Sequence, residues 1–552
     1  MPRPLARLRA ACTALLLLLA VVAATGAPMD ADPVAARIDA RLAGDGDGFE
    51  AGGARLRARA FFRQVYAGAQ FRPLWDLDDE ARVFLELADR AGEEGLASAD
   101  YNLQAIRAAI ARAGTDPAAR VDADLLLTDA LARFAYHLRF GKANPEELDP
   151  DWNYRRDFDG MDPAHWLRVA IDAPDLGAAL DELRPRTPAY AALRAALARY
   201  RTLARAPAWT APGGGPTLEP GMRDARVAVL RARLAAENAI APAAAGGPDL
   251  YDEPLRLAVV AFQGRHGLEP DGAVGPRTRA ALAVSAQARV DQLRVNLDRL
   301  RWLGSAFGTD HVAVNVPAYS VALVRKGEAA WQARAIVGKR FRETPVFTAP
   351  MTYVVLNPSW TVPPTVLAED ILPAMRRDTR TLAKKALHVI DREGRPVDPA
   401  TIDWKHADAG RFPWRLRQDP GPDNALGRIK FMLPNPHAVY LHDTPARALF
   451  ERAERGFSSG CIRIERPLEL AERLLDDPVQ WNAAALQAAV DGGAKRRVDL
   501  PRPLPVMILY LTAFPGADGS VQFRDDIYGR DPAVRAALDG PFRFSAPRGF
   551  PR

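Results

Sequence analysis

The chain has 552 residues, too many for one hydrophobic core, so several domains are expected. Apolar residues make up 48% and charged residues 26%, which excludes a disordered or fibrous chain. The net charge of +6 arises from 74 basic and 68 acidic residues, interspersed, with no basic tract among aromatics; no nucleic-acid partner is indicated.

Arg3, Arg7 and Arg9 precede an apolar run from Ala10 to Ala24, and Thr25-Gly26-Ala27 offers a small-residue cleavage site. Residues 1–27 therefore read as a signal peptide, with an uncleaved anchor as the other reading, although the run is short for a membrane span. Their three arginines and no acids lower the net charge to +3 on removal. Cys12 leaves with them, so Cys461 is the lone cysteine of the exported chain. Such a thiol can form no internal disulfide and is an oxidation hazard unless its chemistry is used. The alternative is an inert buried thiol.

Residues 28–215 read as a helical scaffold domain, rich in Ala, Leu and Arg. Ala54 to Ala67, Ala81 to Ala91 and Asp122 to Phe140 are amphipathic helical segments. His137 and His165 stand alone there, packed or solvated. Ala211-Pro212-Gly213-Gly214-Gly215-Pro216 is a linker by composition.

Residues 222–285 form a compact unit. Ala258, Val259, Ala261 and Phe262 give a helix face; Gly267-Leu268 and Asp271-Gly272 make turns needing positive φ; Gly275-Pro276 precedes a last helix. The pattern Ala258-Val259-x-x-Phe262-Gln263 with these turns resembles the three-helix peptidoglycan-binding module. That resemblance implies contact with cell wall, and His266 is packed or solvated within it.

Val290 to Leu303 is a further helix. It leads into a β-rich region, 308–530, in which His311 to Val316 and Ser320 to Lys326 form a hairpin. Trp331 to Val337 and Thr352 to Leu356 continue the sheet. Residues from about 365 to 426 are a polar helix-and-loop insertion, far longer than an ordinary strand connection and so a lid candidate. Its Arg376, Arg377, Arg380, Lys384 and Lys385 mark either a solvated face or a surface that meets an anionic substrate. Leu468 to Leu475 is a helix, Val506 to Leu511 a strand of the same sheet with Val521 to Phe523 as a short partner, and 541–552 a mobile tail.

Between these elements lies YLHDTPARALFERAERGFSSGCIRIER, Tyr440 to Arg466. His442 ends a short strand, Ala438 to Leu441. Thr444 to Glu454 reads as a helix with Pro445 in its first turn. Cys461 follows the Ser458-Ser459-Gly460 turn and opens the strand Ile462 to Ile464. A nucleophile and a base on two strand ends suit thiolate catalysis, because the thiolate is the reactive form and something must take its proton. His442 is the candidate base; its rival His437 reads as a surface residue. Backbone N–H groups of Gly460 and Cys461 are candidate oxyanion donors. Together these predict acyl transfer through a thioester. No His-x-x-x-His, His-x-His or Cys-x-x-Cys spacing occurs, so neither metal nor other cofactor is expected.

His442, Ser458-Ser459-Gly460-Cys461, Ile462 and Arg463 resemble the catalytic signature of the L,D-transpeptidases. The departure is Ser459, where most members carry a second histidine. With His442-Asp443-Thr444-Pro445 and the insertion, the whole resembles the large periplasmic subgroup, an α+β multidomain protein of helical scaffold, wall-binding module and mostly-β catalytic domain with a helical lid. The resemblance implies a peptidoglycan tetrapeptide donor attacked by Cys461, loss of D-Ala, and a 3→3 cross-link to a neighbouring stem, with carbapenems as acylating inhibitors. Its partners would be stem peptides, glycan strands and proteins of wall synthesis. Arg463 would hold a substrate carboxylate or a structural salt bridge. Ser459, Tyr440 and Trp360 are candidate substrate contacts, Trp360 also a core candidate. Asp443 or a backbone carbonyl would orient His442. L,D-carboxypeptidation, attachment of an outer-membrane protein to the wall, or a non-catalytic wall-binding scaffold are the other readings.

Overall fold

The computed structural model describes residues 32–206, 209–238, 246–304 and 308–550; the expected signal peptide lies outside them. Among the described residues no helix is long and apolar enough to cross a membrane.

The first domain is built around the helix Pro117–Phe140, which Asp116 caps and Pro117 opens. It is buried nearly all round, against Leu103–Ala113 and Pro33–Leu42. A small hairpin, β1 (Phe49–Ala51) and β2 (Ala54–Leu56), replaces the start of the expected Ala54 helix, which begins only at Arg59. Gly52 and Gly53, both at positive φ, make that turn possible.

The second unit has three helices, Ala225–Asn238, Glu253–Arg265 and Pro276–Ala283. Gln263 explains its motif: the side-chain amide donates to Asp271 at 2.8 Å and accepts from the Gly272 N–H at 2.8 Å. Gly272 sits at φ 76°, so the glutamine holds a turn that glycine permits. His266 stacks on Phe262 at 3.9 Å. His137 is likewise packed, its Nδ1 3.0 Å from the Tyr101 hydroxyl, whereas His165 is exposed.

The helix Ala286–Leu303 links these units to a nine-stranded sheet. Its strands are β3 (His311–Asn315), β4 (Ser320–Arg325), β5 (Glu328–Gly338), β6 (Thr348–Leu356), β10 (Ile429–Met432), β11 (Leu441–His442), β12 (Gly456–Ser458), β13 (Ile462–Ile464) and β14 (Arg496–Leu509). The order is β12-β5-β13-β11-β10-β6-β14-β3-β4, and β4 pairs back onto β5, closing the sheet into a barrel-like core. β14 is longer than expected and shifts register between Asp499 and Leu504, where Pro501 and Pro503 cannot donate to a ladder. Ala513–Pro515 and Val521–Phe523 form a separate two-stranded ribbon, so Val521–Phe523 is not a strand of the main sheet.

The insertion is more than helix and loop. β7 (Trp360–Thr361), β8 (His388–Ile390) and β9 (Arg415–Gln418) form a three-stranded sheet in the order β7-β9-β8. Ile371, Leu372, Met375, Trp404 and Leu416 give the insertion its own buried core. Its basic residues are partly spoken for: Arg380 and Lys384 both pair with Asp378, and Arg376 donates to the Ala407 carbonyl.

Residues 541–550, expected as a mobile tail, are packed on the first domain. The Tyr136 hydroxyl donates to the Ser545 carbonyl at 2.8 Å, and Phe542 and Phe544 ring-pack on Tyr136. Phe550 lies 5.1 Å from Phe61, and the segment walls a cavity of about 620 Å³. Aromatic burial outweighs chain entropy here, a gain invisible until the two ends of the chain are brought together.

Candidate active site

β11 and β13 run parallel, with Leu441 opposite Ile462 and His442 opposite Arg463. The Ile462 N–H donates to the Tyr440 carbonyl at 3.1 Å, extending the register so that Tyr440 stands beside Cys461. Alternation then puts Tyr440, His442, Cys461 and Arg463 on one face of the sheet. Antiparallel β10 adds Lys430, opposite His442.

The loop that presents Cys461 is tightly held. Gly460 has φ 109°, a conformation that glycine alone adopts readily. Its carbonyl accepts from the Thr344 hydroxyl at 2.8 Å, and that hydroxyl in turn accepts from the Gly338 N–H at 2.9 Å. The Ser458 hydroxyl donates to the Cys461 carbonyl at 2.5 Å and accepts from the Gly460 N–H at 3.1 Å. The Gly460 N–H, expected as an oxyanion donor, is therefore engaged by Ser458. Ser459 is exposed and accepts from Arg342 at 2.8 Å.

His442 is 4% exposed, and its Nδ1 lies 2.5 Å from the Asp443 carbonyl. A carbonyl only accepts, so Nδ1 carries the proton and Nε2 is the basic nitrogen. Burial, with help from Arg463 and Lys430, pushes the imidazole down to about 3, while the Asp443 and Leu426 carbonyls act the other way. The Asp443 carboxylate turns away from the imidazole, accepting from the Arg428 N–H at 2.8 Å and pairing with Arg447. The backbone carbonyl, not the acid, orients the ring.

Cys461 keeps part of its surface open, and its Sγ lies 3.8 Å from the Ala438 carbonyl. Close crowding by protein pushes the thiol up; Tyr440, through both backbone N–H and hydroxyl, opposes this, as do Lys430 and Arg463. Tyr440 stands between Cys461 on one side and Trp360 on the other, and burial raises its phenol. Trp360 also packs on the insertion's core. The site thus rests as neutral thiol and neutral imidazole, with donors placed to receive a thiolate.

Arg463 is paired with no carboxylate among the described residues, and its buried Nε has no hydrogen-bond partner. The structural salt bridge that was one expectation for it is absent there. His437 is half-buried rather than a free surface residue, its ring 4.7 Å from Phe347 and its Nδ1 3.5 Å from Asp151. The expected helix from Thr444 to Glu454 shrinks to one short turn, Arg447–Glu451. The chain must cross from β11 to β12, which lies on β5, and a long helix would overshoot. Lys430 and Arg342 were missed from sequence, because nothing local distinguishes one cation near an apolar strand from another. Among the described residues no group of three or more His, Cys, Asp or Glu side chains could hold a metal ion.

Comparison with known proteins agrees with this architecture. Residues 309–480 match the family model described as "L,D-transpeptidase catalytic domain", residues 223–282 that of a "Putative peptidoglycan binding domain", and residues 60–197 that of a "Scaffold domain". The chain therefore carries an L,D-transpeptidase catalytic domain joined to a peptidoglycan-binding domain and a helical scaffold. A Haemophilus influenzae protein named "Putative L,D-transpeptidase" is 35% identical over 257 residues, covering 46% of this chain. The match takes in 51% of that relative, so the chain spans about half its length. An L,D-transpeptidase structure from Xylanimonas cellulosilytica is similar over 54% of this chain and 100% of its own, at 14% identity and TM-score 0.15.

Proposed function

We propose that the protein is a cysteine-dependent L,D-transpeptidase that joins peptidoglycan stems by 3→3 cross-links in the periplasm, exported by residues 1–27. The observation that carries this reading is the parallel pairing of β11 with β13, which sets His442 and Cys461 on one face, with the Asp443 carbonyl on the Nδ1 side of the imidazole.

Cys461 gives its proton to His442 Nε2 as Sγ attacks the carbonyl of the donor's third, diamino residue. Tyr440's hydroxyl and N–H hold the developing sulfur charge, and the Cys461 N–H receives the oxyanion. The imidazolium returns the proton to the departing amine, D-Ala leaves and a thioester remains. The side-chain amine of an acceptor stem then attacks, His442 takes its proton, and the cysteine is released. The peptidoglycan-binding domain supports delivery of glycan-linked substrate to this site.

Intact mass after carbapenem treatment tests the nucleophile: an adduct on the wild type, lost in Cys461→Ser, is expected, with His442→Ala strongly slowed. Tetrapeptide muropeptides test the outcome. Cross-linked dimers support transpeptidation; tripeptide without dimer would replace it with L,D-carboxypeptidation.

A further inference from the structure

Positive charge without a counter-ion among the described residues surrounds the sulfur. On the flanks of the site cations are matched: Arg334 pairs with Glu451 and Glu465, Arg342 with Glu369 and Asp370. On the site's own face they are not. Lys430, partly buried on β10 between Val355 and His442, lies 3.6 Å above the Tyr440 ring. Both cations act on the Cys461 sulfur, Lys495 adds like charge beside Lys430, and neither Lys430 nor Arg463 pairs with a carboxylate among the described residues. Arg463 adds a buried Nε without a partner, and Lys495 stands nearby on the Ser359 hydroxyl at 3.3 Å. Sheltering unpaired cations and an unmet guanidinium N–H is costly. A ligand anion removes that cost.

We propose that Lys430 and Arg463 form a carboxylate-binding subsite beside Cys461, which recognises a free carboxylate close to the donor's scissile carbonyl. The inference rests on Cys461 being the nucleophile. A planar guanidinium edge and a point-charge ammonium suit a carboxylate anchored on both sides. In a stem peptide that carboxylate has two sources: the C-terminus of the departing residue, or the side chain of the diamino residue. Either would turn a stem with a neutral group at that position into a poor donor. Lys430 would act in positioning, since its ammonium binds a part of the substrate that does not react.

The test uses the full-length protein and three donors: a tetrapeptide with both carboxylates, one amidated at its C-terminus, and one with lysine as third residue. Thioester formation on the wild type is followed by mass. At least one neutralised donor should lose tenfold or more in kcat/KM, mainly through KM. Lys430→Met should lose a similar factor on the parent donor and discriminate little among the three; Lys430→Arg should restore discrimination. Equal use of all three donors by the wild type would overturn the subsite. So would a Lys430→Met loss identical on every donor, which would mark Lys430 as packing on Tyr440 alone. A wild type that forms no thioester with any donor would sink the nucleophile assignment, and this inference with it.

Discussion

Arg342 donates to the Ser459 hydroxyl at 2.8 Å and, with the same guanidinium, to Glu369 at 2.8 Å and Asp370 at 2.6 Å. One side chain thus ties the turn before Cys461 to the inserted subdomain. Glu369 and Asp370 lie on a single wide helical turn, Leu367–Ile371, a local irregularity that aims both acids at one partner.

Arg342→Ala should release the insertion more than it destabilises the whole. Arg342's side chain is 9% exposed but its partners are about half-exposed, so the stability cost should stay near 1 kcal/mol. Hydrogen exchange across 365–426 should accelerate, and exchange in β11 and β13 should not. High salt should reproduce the effect in the wild type.

His442 carries a pH signature. Its folded pKa of about 3 lies below the ordinary 6.5, so the unfolded chain binds the proton first. Stability from this residue is full above about pH 6.5 and declines as pH falls towards 3, by at most about 1.4 kcal/mol per pH unit. His266, also lowered to about 3, adds a second share. Melting between pH 4 and 7 should therefore flatten by one proton's worth in His442→Gln. Acylation should persist in weak acid, because the base stays neutral there.

Tyr440→Phe removes the hydroxyl aimed at Sγ and keeps the ring under Lys430. The thiol should rise further. Alkylation by iodoacetamide at pH 7 should slow about tenfold, with its pH midpoint displaced upward. An unchanged profile would show that Tyr440 serves only as a wall.

Thr344→Val preserves shape and deletes the hydroxyl that donates to the Gly460 carbonyl and accepts from the Gly338 N–H. Two buried backbone groups lose their partner, at about 1–3 kcal/mol. Melting temperature and carbapenem acylation should fall together, since the loop that fails is the one presenting Cys461.

Cys461 and His442, the proposed nucleophile and base, could be singled out because each rests on a local signal: a lone thiol after a turn glycine, and a histidine closing an apolar strand. The sheet hairpin from His311 and the wall-binding module were legible for similar reasons of period and turn chemistry. What sequence hid was set by pairing at a distance. Lys430 enters the site only because β10 lies beside β11, and Tyr440 faces the sulfur only because β11 and β13 run parallel. Strands as short as Leu441–His442 and Gly456–Ser458 carry too few residues to show alternation, so the connection between them read as helix.

The ring cluster formed by Phe542, Phe544 and Phe550 on the helical domain has a consequence for biogenesis. A chain emerging from its N-terminus exposes Phe61 and Tyr136 until residues 541–550 arrive, 409 positions after Tyr136 in the case of Ser545. The helical domain is then sealed only once the later segment has been made. A product clipped before residue 541 leaves those rings uncovered, the kind of apolar surface that chaperones and proteases engage.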